Sequence, residues 1–149
     1  MNDEAYPKTY LYRRIVRSKL FIDDHFSESI DLEHIAGEAC FSKFHFIRLF
    51  ARMYGKTPHQ YLSCVRIEKA KLLLTERLSV TEVCFSVGFD SLASFTDLFK
   101  RIVGKTPSAY KAEQHQHRAE ILAMPLRYIP FCFAEKIPYE KSNFREAIP

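Results

Sequence analysis

The hydrophobic pattern of this chain occurs twice, at a separation of 49 residues. In the first copy Phe46, Leu49, Phe50 and Met53 recur at i, i+3, i+4 and i+7, the spacing of one helix face that packs on a core. The matching pairs are Phe46/Phe95, Leu49/Leu98, Phe50/Phe99, Gly55/Gly104, Thr57/Thr106, Pro58/Pro107 and Tyr61/Tyr110. A duplicated helical unit therefore organises the sequence.

Further periodic stretches predict a helix pair in each copy. A first helix is predicted from about Lys8 to His25, preceded by Pro7. Its inner face would consist of Leu11, Ile15, Ser18, Ile22 and Phe26. Asp31 is suited to cap the next helix, whose apolar positions are Leu32, Ile35, Ala36 and Ala39. At an offset of 48 the pattern returns in Val80, Val83, Cys84 and Val87, behind a Ser79–Glu82 capping box. Each copy thus predicts a helix-turn-helix unit.

Glycine, proline and small polar residues predict where the helices begin and end. Ser42 is the expected N-cap of the second helix in the first unit. Gly55 stands where a terminating glycine belongs, and Thr57 with Pro58 supplies the next N-cap and first helical position. A connector helix is then predicted from Pro58 to about Thr75. It is apolar over a broad arc, so we expect it to contact both units.

These elements predict an all-α fold with two helix-turn-helix units, each a homeodomain-like three-helix subdomain, joined by the long connector. The expected domain covers residues 8–114, with the first unit at about 8–57, the connector at 58–75 and the second unit at 79–114. A short last helix should begin at Pro107 and end near Gln114. Residues 115–149 are expected to form an irregular arm rich in proline and aromatics. This arm either packs across the helical body or offers a docking surface to a partner chain.

Charge adds a functional indication to this architecture. The formal net charge is only +4, but no acidic residue occurs between Ser42 and Ile67. The face of the second helix opposite its apolar stripe carries Lys43, Arg48 and Arg52. A helix that packs by one face and presents cations on the other fits a DNA recognition helix. No apolar run approaches the ~20 residues of a membrane span, and no secretory signal is recognisable, so a cytoplasmic protein is expected.

Catalytic and metal-binding patterns are not apparent. Four cysteines lack any CxxC spacing, and Cys40 and Cys84 are expected to be buried thiols. Cys132 is a candidate nucleophile, but its apolar neighbours would raise its pKa. His115 and His117 are interpreted as part of a solvated polar stretch. We therefore expect no enzyme activity, no bound metal and no cofactor.

The two units, each followed by Gly-Lys-Thr-Pro and a tyrosine, resemble the DNA-binding domain of AraC/XylS-type transcriptional regulators. The carriers are VGFDSLASFTDLFKRIVGKTPSAY and its first-unit counterpart FSKFHFIRLFARMYGKTPHQYL, and the likeness covers roughly Ile15 to Lys111. It implies a sequence-specific regulator that binds double-stranded DNA as a monomer, like the small single-domain members, with one helix of each unit in adjacent major grooves. RNA polymerase is a further candidate partner, whereas no obligatory small-molecule ligand and no membrane are expected. The alternative is a helical protein-interaction module that has lost sequence-specific DNA binding.

The resemblance also implies which residues contact DNA. In the first unit the base-reading positions fall on Phe44, Ile47 and Arg48. Arg48 is suited to a bidentate contact with guanine, and the two apolar residues to thymine methyl groups, unless they join the core instead. In the second unit the base-reading or groove positions are Leu92, Ala93, Ser94, Thr96 and Asp97, where relatives often carry glutamine or arginine. Phosphate contacts are expected from Lys43, His45, Arg52, Lys56, Lys100, Arg101 and Lys105.

Overall fold

The computed structural model describes residues 5–30, 35 and 42–128, and within them every regular element is a helix. In chain order these are α1 (Ala5–His25), α2 (Lys43–Tyr54), α3 (Pro58–Leu74), α4 (Val80–Ser86), α5 (Leu92–Val103) and α6 (Pro107–Ala123), followed by a 3-10 helix at Pro125–Tyr128. The all-α fold with two helix-turn-helix units is confirmed. The chain forms two compact units, divided between Lys111 and Ala112. No described helix has the length and apolar content needed to cross a membrane.

Two hydrophobic cores lie within the larger unit. The first buries Ile15, Ile22, Ile35, Phe46, Phe50 and Leu62, and the second buries Ile67, Ala70, Leu74, Val83, Cys84, Val87, Phe95 and Phe99. The predicted connector, α3, supplies Leu62 to the first core and Ile67 to the second. Its expected contact with both helix-turn-helix units is therefore confirmed. Of the predicted helix around Ile35 only Ile35 itself is described, and it is helical and buried. Asp31, Leu32, Ala36, Ala39 and Cys40 lie outside the described residues.

The aromatic packing of the two cores follows the duplication. Phe46 and Phe50 meet edge to face with ring centroids 5.6 Å apart, and their counterparts Phe95 and Phe99 do so at 5.7 Å. The tyrosine after each Gly-Lys-Thr-Pro segment completes the set. Tyr61 packs on Phe50 at 5.7 Å and Tyr110 packs on Phe99 at 5.6 Å. Such edge-to-face pairs add about 0.5–1.5 kcal/mol beyond the area that they bury.

The helix ends confirm most of the predicted signals. Gly55 adopts φ 69°, which an L side chain disfavours, and its N–H donates to the Ala51 carbonyl at 2.9 Å. Gly104 ends α5 in the same way. Thr57 caps α3, and its Oγ1 accepts from the Gln60 N–H at 3.3 Å while the Gln60 side chain accepts from the Thr57 N–H at 2.9 Å. The Thr57 cap was predicted, but the reciprocal Gln60 bond was not. The predicted box of Ser79 and Glu82 is also present.

Two helix ends differ from the predictions. α1 begins at Ala5 rather than near Lys8, with Pro7 inside its first turn. Proline is tolerated there because its missing N–H would have no helical partner. α6 continues to Ala123 rather than ending near Gln114, so residues 115–123 of the expected irregular arm are helical. The extension lacks an apolar stripe, contains a Gln116–Glu120 hydrogen bond of 3.0 Å and ends just before Pro125. The remainder of the arm, from residue 129, lies outside the described residues.

Candidate nucleic-acid interface

The helix α2 separates a buried face from an exposed one. Phe46 and Phe50 are fully buried, whereas Phe44 is 78% exposed and Arg48 and Arg52 are exposed. Ile47 is half-buried at the border of the two faces. For Phe44 the expectation of exposure is confirmed, and its alternative placement in the core is excluded. The Phe44 ring is therefore accessible from solvent at the start of a helix that carries basic side chains.

Basic side chains follow the exposed face of α2 from its first residue to its last turn. Lys43, His45, Arg48 and Arg52 are all exposed. Arg48 and Arg52 lie one turn apart and, with His45 and Leu49, line a shallow concavity of about 250 Å³. Like charges at this spacing destabilise a helix by about 0.2–0.5 kcal/mol in solvent. That repulsion is removed when a polyanion lies against the face, so the arrangement favours a polyanionic ligand.

The helix α5 reproduces the burial pattern of α2 in register. From its first residue to Phe99, each position is buried, half-buried or exposed as its counterpart is in α2. The exposed candidates are Leu92, Ala93, Ser94 and Asp97, and Thr96 is half-buried. The chemistry of the exposed face nevertheless differs, because Asp97 stands where α2 has Arg48. The cations of α5 lie towards its end, where Lys100 and Arg101 are exposed.

The helices α2 and α5 also begin differently. Ser91 caps α5 with its side chain, since its Oγ accepts from the Ser94 N–H at 3.2 Å and donates to the Ser94 Oγ at 2.9 Å. Ser42 has the extended N-cap backbone, φ −65° and ψ 144°, but its side chain makes no capping hydrogen bond. The predicted N-cap position of Ser42 is therefore confirmed, while the side-chain cap expected there is absent.

An open cleft of about 820 Å³ lies between α3 and α5, and Gly55 and Lys56 from the turn after α2 also line it. Lys56, Arg66 and Arg101 contribute three cations to its lining, which contains no acidic residue. Lys56 follows Gly55, and its counterpart Lys105, half-buried, follows Gly104. The α3 side chains His59, Gln60, Ser63 and Cys64 also line the cleft, and sequence reasoning did not nominate them. The sequence signal that could have identified them is their i, i+1, i+4, i+5 spacing on one face of the connector helix, within the stretch from Ser42 to Ile67 that has no acidic residue.

The structure also places the residues that the sequence nominated for catalysis or metal binding. No group of three histidine, cysteine or acidic side chains there could hold a metal ion. Burial raises the pKa of the Cys84 thiol, so this cysteine is a weak nucleophile. His115 and His117 are exposed, and the His117 ring contacts Tyr128 at 5.6 Å. The candidate nucleophile Cys132 lies outside the described residues.

The chain is similar to known helix-turn-helix proteins in sequence and in structure. Residues 35–113 match the family model described as "Helix-turn-helix domain". The chain is 42% identical over 88 residues to the uncharacterized HTH-type transcriptional regulator YdeC of Bacillus subtilis. These aligned residues make up 58% of this chain and 30% of YdeC. Among solved structures, the chain is similar to the DNA-binding domain of the transcriptional factor AdpA in complex with a target DNA, with a TM-score of 0.68 and 32% identity. The alignment covers 70% of this chain and 96% of that domain.

A second solved structure shares the fold alone. A transcriptional regulator of Chromobacterium violaceum, with an AraC-type DNA-binding domain, aligns at a TM-score of 0.65 and 22% identity, over 70% of this chain and 95% of the other. The chain spans about a third of the length of the first curated relatives that it matches.

Proposed function

Since this chain belongs to the AraC-type family of helix-turn-helix domains, we propose that it binds double-stranded DNA in a sequence-specific manner and regulates transcription. The observation that carries the proposal is the exposed face of α2. It combines Arg48 and Arg52 with an exposed Phe44 and has no acidic neighbour along the helix. Cations supply the electrostatic part of DNA affinity, and side chains on an exposed helix face supply base contacts.

In the proposed complex α2 lies in one major groove and α5 in the next. Arg48 donates two hydrogen bonds to guanine O6 and N7, and Phe44 and Ile47 contact thymine methyl groups. Lys43, His45 and Arg52 contact the flanking phosphates. Because both recognition helices belong to one chain and differ in sequence, a monomer binds an asymmetric site of about 20 base pairs, two half-sites one helical turn apart.

The second recognition helix contributes less base discrimination in this proposal. Leu92, Ala93 and Ser94 make groove contacts, Thr96 is half-buried, and Asp97 faces the polyanion with a negative charge. Lys100, Arg101 and Lys105 attach this half of the domain to the backbone, with Lys56 in the equivalent place in the first half. The proposed site of action is the cytoplasm, where a bacterial chromosome lies, and RNA polymerase is the partner expected at a promoter.

The experiment is a selection of duplexes from a randomised library, followed by affinity measurements on the selected site and on a scrambled duplex at several salt concentrations. We expect a clear preference for the selected site and a log–log salt slope of about −0.9 for each phosphate contact. Sedimentation of the complex should give one protein per duplex.

Matched variants make the experiment specific. Arg52→Gln removes a cation from the proposed interface, whereas Arg77→Gln removes an exposed cation after the end of α3. We expect the salt slope to fall by about one for Arg52→Gln and not at all for Arg77→Gln. No preference for any duplex, together with a flat salt dependence, would overturn the proposal and favour the protein-interaction module.

A further inference from the structure

In the part of the chain that the structure describes, a polar contact centred on Arg66 of α3 joins the two helix-turn-helix units, in addition to the place of α3 in both cores. The Arg66 Nε–H donates to the Phe26 carbonyl at 2.7 Å, and an Nη2–H donates to the Glu28 carbonyl at 2.8 Å. Both carbonyls belong to the turn that follows α1 in the first unit. The guanidinium carbon also lies 5.6 Å from the centre of the Phe89 ring, which belongs to the second unit.

The turn between α4 and α5 approaches the same segment of the first unit from the other side. Gly88 has φ 87°, and a Cβ placed on it would lie 2.7 Å from the Ser27 carbonyl oxygen and 2.9 Å from the carbonyl carbon. Those neighbours are backbone atoms, so they cannot move aside as a flexible side chain would. Glycine is thus required at residue 88 by its φ angle and also by the closeness of the first unit.

The surroundings of the Arg66 guanidinium favour a fixed position. Burial lowers the pKa of Arg66, and the negative charge of Asp90 opposes that effect, so the side chain stays protonated. Phe26, whose carbonyl accepts from Arg66, packs against both hydrophobic cores. Charge-assisted hydrogen bonds of this kind are shorter and stronger than neutral ones. The group formed by Arg66, Gly88, Phe89 and the carbonyls of residues 26–28 is called the inter-unit contact below.

We propose that the inter-unit contact, with Arg66 as its positioning residue, fixes α5 relative to α2 and thereby sets the half-site spacing that the protein accepts on DNA. The proposal rests on the proposed function. Each added base pair moves the second half-site by about 3.4 Å along the DNA and rotates it by about 34°. A rigid contact makes the protein resist that displacement, whereas a loosened one lets α5 follow the moved half-site.

The experiment compares wild type and variants on the selected duplex and on duplexes with one base pair inserted or deleted between the half-sites. Wild type should prefer the selected spacing over the altered ones by at least about tenfold, which corresponds to ~1.4 kcal/mol. Arg66→Lys keeps the charge but replaces the planar donor group, so it cannot reproduce both hydrogen bonds in their present directions. We expect this variant to lose most of that preference.

The spacing preference is a ratio of two affinities, so it separates positioning from stability or simple charge. A variant that was merely less stable would lose affinity for every duplex in the same proportion. Lys71→Gln is the matched control, because Lys71 is on the same helix and its ammonium contacts Glu68, also on α3, at 2.8 Å. This control should keep the wild-type spacing preference.

Gly88→Ala tests the inter-unit contact without replacing Arg66, although the added methyl group would lie 3.0 Å from Arg66 Nη2 as well as against the Ser27 carbonyl. The added methyl group should press the two turns apart and shift the preferred spacing or broaden it. Unchanged spacing preference in Arg66→Lys and Gly88→Ala would overturn the inference and leave the proposed function intact. The inference would also be overturned, before any variant is measured, if the wild-type protein bound duplexes of every half-site spacing equally well. A wild type that prefers no duplex at all would instead overturn the proposed function.

Discussion

The helices α2 and α5 bury matching residues but expose different ones. Phe46 and Phe95 occupy the same place in their cores, with the next phenylalanine at nearly the same ring distance. On the exposed faces Arg48 corresponds to Asp97, and Phe44 to Ala93. The duplication has thus preserved what packing on α3 requires, while the solvent-facing positions differ. Core packing is sensitive to single methylene groups, whereas exposed helix positions are not.

This difference indicates a division of work between the units. The face of α2 offers cations, an aromatic ring and a bidentate donor group, whereas the face of α5 offers small side chains and one acid. Its side-chain cap from Ser91 gives α5 a better-defined start than α2 has with Ser42. In the proposed function α2 supplies most base discrimination, and α5 supplies orientation and backbone contacts.

The largest expected effect is a loss of stability that should be equal when corresponding core residues of the two units are replaced. Phe46→Ala and Phe95→Ala each remove a fully buried ring, and each should lower the free energy of unfolding by about 3–5 kcal/mol. Thermal and denaturant unfolding of the two variants and wild type provides the measurement. A loss in one variant several times that in the other would show that the cores are not equivalent, despite their matching geometry.

The next effect should differ in sign between the units. Arg48→Ala should weaken binding to the selected site by about 1–3 kcal/mol and relax base choice at one position. Asp97→Ala should tighten binding to every sequence by a similar factor, because it removes repulsion between a carboxylate and phosphates without loss of a base contact. Titrations against a panel of duplexes that vary one position at a time measure both.

Two conservative variants control for shape and charge in that experiment. Arg48→Lys keeps the charge and loses the bidentate geometry, so it should relax base choice with little change in salt slope. Asp97→Asn keeps the shape and should tighten binding as Asp97→Ala does. If Asp97→Ala weakens only duplexes that carry one particular cytosine, Asp97 accepts from cytosine N4, and the second unit discriminates bases after all.

A smaller effect distinguishes how the helices begin. Ser91→Ala removes the acceptor of the Ser94 N–H and should cost about 1 kcal/mol of stability. Ser42→Ala should cost clearly less, because the Ser42 side chain makes no capping bond. Urea unfolding of the two variants under identical conditions gives the difference. Equal losses would mean that Ser42 forms a capping bond in solution.

The smallest effect concerns acid. Hydrogen bonds from the side chain and the backbone N–H of Ser79 hold the pKa of the Glu82 carboxyl below its usual range, and the backbone N–H donates to Glu82 Oε2 at 2.7 Å. A group with a lowered folded-state pKa stabilises the fold above its ordinary pKa of about 4.3, and that contribution is lost as pH falls further, through the folded-state value. The corresponding box at the start of α3 uses Gln60, which does not titrate. The stability advantage of wild type over Glu82→Gln should therefore shrink as pH is lowered from 5 to about 3, as followed by thermal melting at each pH.

Much of this architecture is predictable from the sequence, because local signals and the repeat agree. Gly55 and Thr57 indicate where α2 ends and α3 begins, and Gly104, the counterpart of Gly55, indicates where α5 ends. The 3.6-residue period separates the buried and exposed faces of these helices. The duplication doubles the weight of each signal. Among the candidate DNA contacts, the exposure of Phe44 and Arg48 follows from the same period.

The remainder depends on contacts that no local pattern encodes. Arg66 donates to carbonyls 38 and 40 residues earlier in the chain, and backbone acceptors leave no trace in the sequence. The extension of α6 was missed because a polar helix without an apolar stripe resembles a loop in its periodicity. The missing Ser42 bond is a matter of side-chain orientation, which residue type does not determine.

The position of α3 in both cores also has a consequence for folding and for inheritance. Its 17 residues contribute buried side chains to both hydrophobic cores. If one unit unfolded and α3 with it, the core of the other unit would lose part of its packing. The larger compact unit should consequently melt in one cooperative transition, although it descends from a duplication. Recombination that separated the two copies would yield fragments with exposed apolar faces and little stability of their own. We therefore expect the two units to fold in another protein only when they are transferred together.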